Sequence, residues 1–273
     1  MQTTIAQAVA LTIYGNNFIQ GYPWEDFWPA ATVFRFCKHV AFAILDPPGT
    51  AIESAFAADP AQWITKLRDE TVIGLRLHHV ARSEAGSSDR ESAGFAGGGG
   101  RWLIESVRNA TSDFWEARWR VQNQNDPDRK VWDIIYCRVA KDRARALPDG
   151  RGIGALRREL ENALLRIEGF ANQQKLEVFA KSFRCGIELL HADDPLSSVH
   201  HSDLARGALL PLEARQILGA AQAAWVFGGM GSWNDLGFEG IALDEYTALS
   251  DQLFSLINQA ICEAANSGFR AGT

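Results

Sequence analysis

Two short stretches hold the side chains best suited to chemistry. The first runs from His191-Ala192-Asp193-Asp194 to His200-His201-Ser202-Asp203. Imidazole and carboxylate are donors that zinc, iron and manganese accept, so His191, Asp194, His200, His201 and Asp203 form a candidate metal-ligand set. Their spacing fits no HExxH pattern. Adjacent histidines on an extended chain also point to opposite sides, so His200 and His201 are poorly placed to share one ion. The competing reading is a solvated connection between helices, with an aspartate capping the next one.

The second stretch is Gly228-Gly229-Met230-Gly231-Ser232-Trp233-Asn234-Asp235. Gly228, Gly229 and Gly231 carry no Cβ and let backbone amides approach a ligand or form an anion nest. Ser232 adds a hydroxyl, Asp235 a carboxylate and Trp233 a stacking face. No lysine follows the glycines, as a P-loop requires, and the nucleophile-elbow pattern GxSxG is absent. The competing reading is a helix C-cap followed by a tight turn, with Trp233 packed in the core.

Three further places carry less. Gly150-Arg151-Gly152-Ile153-Gly154 opens a helix, where anions are attracted, but no strand runs directly into it as a dinucleotide fingerprint needs. His78-His79 lies in a strand, and Glu105, Glu116, Arg118 and Asp133 lie on neighbouring candidate strands, a set able to do acid/base work if one cleft gathers it. Tyr22, Trp24, Phe27 and Trp28, with Pro23 and Pro29, are either a recognition patch or a cover for one end of the core. Nine tryptophans predict at least one exposed aromatic surface.

The elements that must position these groups change character near Pro148. Before it, apolar residues recur at every second position. Val9, Leu11 and Ile13 read as a strand entering a turn at Gly15-Asn16-Asn17, although the alanines there also permit a helix. Residues 33–45 alternate and stop at Asp46-Pro47-Pro48-Gly49, since proline lacks the ladder donor. Asp59-Pro60 is an N-cap with proline at the first helical position, and the short helix to about Asp69 buries Trp63, Ile64 and Leu67. Residues 71–81 read as a strand. Residues 83–100, rich in Ser and Gly, read as a flexible insertion. Strands follow over 101–107, 113–121 and 131–139, the last two a hairpin around Asn125-Asp126-Pro127-Asp128.

After Pro148 the spacing becomes three and four. Ile153, Leu156, Leu160, Ala163, Leu164, Ile167 and Phe170 form one helical stripe, continued toward Leu190 with Gly169 and Gly186 as expected breaks. Helical spacing returns over 211–227 and 243–265. The expected fold is α+β: an antiparallel sheet from the N-terminal half, packed against a helical C-terminal half. The division is 1–147, strand-rich with one short helix and the 83–100 loop, and 148–273, helical, with one core shared by both as the alternative.

A formal net charge of -6 gives no general attraction to nucleic acid or anionic lipid, so neither is an expected partner. The basic residues near 141–158 are interrupted by Asp142, Asp149 and Glu159. Cys37, Cys137, Cys185 and Cys262 form no CxxC, which fits a reducing compartment. No basic-then-apolar leader opens the chain, so a cytoplasmic location is expected. Cofactors and oligomeric state are unknown from the sequence. The function expected is a cytoplasmic binding or interaction protein, for a protein partner or a small-molecule ligand. The alternative is a hydrolase or transferase whose polar, metal-dependent site lies near 228–235 and 191–203.

Overall fold

A computed structural model describes residues 1–23, 26–45, 53–82, 88–95, 98–145, 152–206 and 209–269. The chain opens with a helix, α1 (Thr3–Ile19), and not with the strand that Val9, Leu11 and Ile13 suggested. Every residue from Ile5 to Asn16 is buried. A segment buried on all sides has no polar face, so no helical period is visible, and its alanines then favour the helix. Its buried polar groups are served: Thr12 donates to Ala8 O (2.9 Å) and Gln7 to Val33 O (3.2 Å).

A short 3-10 turn over Thr32–Phe34 delays β1 (Cys37–Leu45), which begins later than the alternation from Val33 indicated. The Asp46–Gly49 stop lies outside the described residues. After β2 (Glu53–Ala57) comes α2 (Pro60–Asp69), where Asp59 accepts the Gln62 N–H at 2.8 Å as an N-cap should. Trp63, Ile64 and Leu67 are buried beneath it. Next are β3 (Gly74–Val80), a one-turn helix α3 (Asp89–Ser92) closed by a Ser88/Glu91 capping box, β4 (Arg101–Val107), β5 (Thr111–Val121) and β6 (Trp132–Ala144).

Helices complete the chain: α4 (Ile153–Gln173), α5 (Glu177–Leu189), α6 (Leu212–Ala223) and α7 (Ile241–Asn266). The break between α4 and α5 falls at neither Gly169 nor Gly186. It is a Schellman closure in which Leu176 N–H returns to Ala171 O (2.8 Å) and Lys175 N–H to Asn172 O (3.1 Å), with Lys175 at φ 61° in the position glycine usually takes.

The fold class is α+β, but the six-stranded sheet is mixed and not purely antiparallel. Its order is β2-β1-β6-β5-β4-β3. β3 to β6 form an antiparallel meander, β2 returns antiparallel to β1, and β1 runs parallel to β6. Turn chemistry fixes direction only for strands joined by a turn. β1 and β6 are remote in sequence, so nothing local predicts how they meet.

Alternation gives the sheet two unlike faces. Phe42, Ile104, Trp115, Ile134 and Tyr136 turn toward the helices, where Trp63 of α2 stacks on Phe42 at 4.4 Å. Most of the buried apolar residues of both halves belong to one continuous cluster. The other face carries Arg76, His78, Glu105, Phe114, Glu116 and Arg118.

The β3 edge is closed in an unusual way. Leu75 exchanges two backbone hydrogen bonds with the Asn16 side chain of α1 (2.6 and 2.9 Å). Leu77 does the same with Asn266 of α7 (2.6 and 3.0 Å). Each carboxamide supplies the donor and acceptor that another strand would offer, so the edge is not left open. No helix among the described residues is long and apolar enough to cross a membrane.

Candidate functional site: a tryptophan-lined cleft at the end of the sheet

The β5–β6 hairpin is longer than its neighbour. Pairing of β4 with β5 extends only as far as Leu103–Glu116, whereas β5 stays paired with β6 out to Val121–Trp132. The hairpin therefore overhangs β4, and a cleft of about 640 Å³ opens beside the overhang. Trp102, Ala117, Trp119, Trp132 and Tyr136 line it from the sheet, with Thr3 and Thr4 of α1 and Phe36 and Cys37 ahead of and at the start of β1 opposite. Trp119 and Trp132 meet edge to face at 5.8 Å, so two large rings hold each other's orientation.

The third wall is the described part of the Ser/Gly segment, through Phe95, Gly98 and Gly100. Expected as a flexible insertion, this part is built into the molecule. His79 donates from Nε2 to Gly99 O at 2.9 Å, and its ring packs against Trp102 at 4.8 Å. Burial pushes the His79 imidazole below its ordinary pKa. Gly99 and Gly100 take φ of +80° and +84°, and a Cβ on Gly100 would lie 2.3 Å from His79 Nε2. Gly99 and Gly100 are thus demanded by backbone geometry, and Gly100 also by the ring beneath it.

The glycine turn predicted as a ligand site supports this wall from behind. A Cβ on Gly94 would sit 2.1 Å from Gly228 O, so the two backbones are in direct contact. Asn234 donates to Arg90 O (2.8 Å) and accepts from Arg90 (3.1 Å), while Arg90 also grips Asp251 of α7 (2.6 Å). Within the turn, the Asp235 carboxylate accepts the N–H groups of Gly231 and Ser232, and Ser232 donates to Gly228 O. Trp233 is fully buried and donates to Ser250 at 2.8 Å. Gly228, Gly229, Gly231, Ser232, Trp233 and Asp235 therefore form a capped turn and do not line the cleft.

The histidine stretch is not gathered into one centre. His191 donates to Glu161 at 2.7 Å, Asp194 and His200 are exposed, and His201 and Asp203 are buried beside Thr32. Thr32 gives its hydroxyl proton to Asp203 (2.5 Å), so His201 Nδ1 donates to Thr32 (3.3 Å). Burial, with the charges of His200 and the chain's amino group, pushes the His201 imidazole down to about 4. Among the described residues no group of three or more His, Cys, Asp or Glu is arranged to hold a metal ion.

Of the remaining candidates, His78, Glu105, Glu116, Arg118 and Asp133 share one face of the sheet, whereas His79 lies on the other, and the set is not gathered into one centre. His78 donates to the buried Glu105 at 2.7 Å, Arg101 forks onto Glu116 at 2.8 and 2.6 Å, and His39 donates to Asp133 at 2.9 Å. Burial raises the Glu105 carboxyl, but the hydrogen bond from His78, the nearby Ser112 hydroxyl and the charges of His78 and Arg76 outweigh it and hold the group below its ordinary value. In the aromatic opening, Phe27 is buried and stacks on Tyr14 at 4.2 Å, Trp28 packs edgewise on Phe34, Tyr22 is exposed, and Trp24 lies outside the described residues. Gly152 is the N-cap position of α4, while Gly150 and Arg151 lie outside the described residues.

The cleft's own groups are quiet. Burial pushes the Cys37 thiol up to about 11, well into the protonated range at neutral pH, where it is a poor nucleophile. Tyr136, fully buried, donates to Gln7 at 3.1 Å and is raised well above its usual value by burial. Sequence reasoning missed Phe36, Trp102, Trp119 and Trp132 as a site. The available signal was the tryptophan count, which carries no position. Comparison with protein-family models, curated proteins and solved structures finds no match to this chain.

Proposed function

We propose that the chain is a cytoplasmic binding or interaction protein that works through the cleft beside the β5–β6 overhang. The observation that carries this reading is a concave surface built from Trp102, Trp119 and Trp132, with arginines around it and its thiol and phenol held protonated. Pockets of this size and aromatic content are where ligands are commonly held. A hydrolase or transferase centred on 228–235 and 191–203 has less support, because Asp235, His191 and Asp203 are each engaged by internal partners.

The test uses anilinonaphthalene sulfonate, an aromatic anion that brightens in apolar clefts, titrated into the whole chain. Saturable binding that is lost in Trp119→Ala and in Trp102→Ala, with unchanged far-UV circular dichroism, supports the cleft as the site. Binding that neither substitution weakens would sink the proposal.

A further inference from the structure

We infer that the cleft takes a small planar aromatic molecule, one ring of which stands over Ala117. This rests on reading the cleft as the binding site and names the chemical class it holds.

The first argument is a row of residues running across the sheet. Residues paired across strands share a face. Phe42 of β1 pairs with Tyr136 of β6, and Tyr136 pairs with Ala117 of β5. One step past the last β4–β5 pair, Leu103–Glu116, Trp102 stands beside Ala117, and Trp102 pairs with His79 of β3. From β1 to β3 the helix-facing row therefore reads Phe42, Tyr136, Ala117, Trp102, His79. Neighbouring rings in this row pack on each other, Phe42 with Tyr136 at 5.2 Å and Trp102 with His79 at 4.8 Å. Ala117 interrupts the row with a methyl group where its neighbours on both sides carry rings.

The second argument is that the interruption falls in the cleft. Ala117, Trp102 and Tyr136 all line it, as do Trp119, two residues along β5, and Thr4 and Ala8 of α1. Tyr136 is buried and closes the inner side, while Trp102, Ala117 and Trp119 are only partly buried. A ring over Ala117 would lie about 5 Å from Trp102 on the next strand and about 7 Å from Trp119 along its own. Aromatic pairs attract each other over about 4.5–7 Å between ring centres, so both indoles are within reach of it.

The third argument is what the polar groups nearby already do. The Tyr136 hydroxyl donates to Gln7, and Arg101 forks onto Glu116. Recognition over Ala117 is therefore by ring faces and by shape, which separates a flat aromatic molecule from a puckered aliphatic one of the same skeleton.

The experiment is displacement of anilinonaphthalene sulfonate from the whole chain by naphthol and by decahydronaphthol, its saturated counterpart. Naphthol should displace the dye at about tenfold lower concentration, the scale of two aromatic contacts. Ala117→Phe brings its own ring into the gap, so it should keep its thermal midpoint and bind naphthol about tenfold more weakly or worse. Trp102→Leu keeps bulk without a ring and should shrink the preference for naphthol. Equal displacement by the two alcohols overturns the aromatic class, and undiminished naphthol binding by folded Ala117→Phe overturns the position. Should Ala117→Phe fail to fold, Trp102→Leu decides, since an unaltered preference there also overturns the position. If naphthol fails while anilinonaphthalene sulfonate still binds through Trp119, the class is wrong and the cleft reading stands. If neither binds, both fall.

Discussion

Replacing Asn266 by alanine tests how the sheet ends at β3. The carboxamide accepts Leu77 N–H at 2.6 Å and donates to Leu77 O at 3.0 Å. The Leu77 side chain is fully buried between the sheet and its helices, so water has restricted access to the bared backbone groups. Losing a partner from a buried donor or acceptor costs about 1–3 kcal/mol. Two such groups, with some relief from water at the edge, give about 2–4 kcal/mol. At about 2–4 °C per kcal/mol for a chain of this size, the thermal midpoint falls by roughly 5–15 °C. Urea unfolding followed by circular dichroism should show a lower midpoint at unchanged slope, since the surface exposed on unfolding barely changes. Amide exchange at Leu77 should quicken beyond that at Ile104 in the sheet interior. A loss below about 0.5 kcal/mol, the scale of an ordinary surface substitution, would show that the asparagine is decoration and that the edge is stable without it.

Two other outcomes follow from local geometry. His201 is neutral and buried, with its pKa lowered to about 4 against an unfolded value near 6.5. The unfolded chain takes up the proton first, so the stability is whole above pH 6.5 and drains as pH falls toward 4, by about 2 kcal/mol at pH 5. Unfolding titrations from pH 7 to 5 should show this slope in the wild type and a flatter one in His201→Gln; identical slopes would mean the imidazole is not held neutral. Gly94→Ala places a Cβ 2.1 Å from Gly228 O, and forcing the two backbones apart should cost about 1–3 kcal/mol. It should also weaken anilinonaphthalene sulfonate binding, because Phe95 and Gly98 of the same segment wall the cleft. Wild-type stability in that variant would show that the contact yields freely.

What the residues dictated by themselves was local. Asp59 before Pro60 started a helix because both the cap and the missing N–H act within one turn. The Trp115–Val121 and Val131–Val139 alternation with Asn-Asp-Pro-Asp between made a hairpin, since the turn joins the strands it orients. The stripes of α4 and α7 were legible because each helix keeps a polar face for its period to be read against. The turn at 228–235 likewise behaves as its cap chemistry dictates, with Ser232 and Asp235 closing a capping box.

What only the tertiary structure decided was relational. α1 is enclosed on every side, which erased the contrast that marks a helix. The parallel meeting of β1 and β6 joins strands with no turn between them, so no local code specified it. The cleft exists because β4 begins at Arg101 while β5 continues to Val121, a difference in strand ends that brings Trp102, Trp119 and Trp132 around one hollow. Periodicity assigns a residue to a face of its own strand. Where that strand outruns its neighbour, and what then stands open, depends on contacts between residues far apart in the chain.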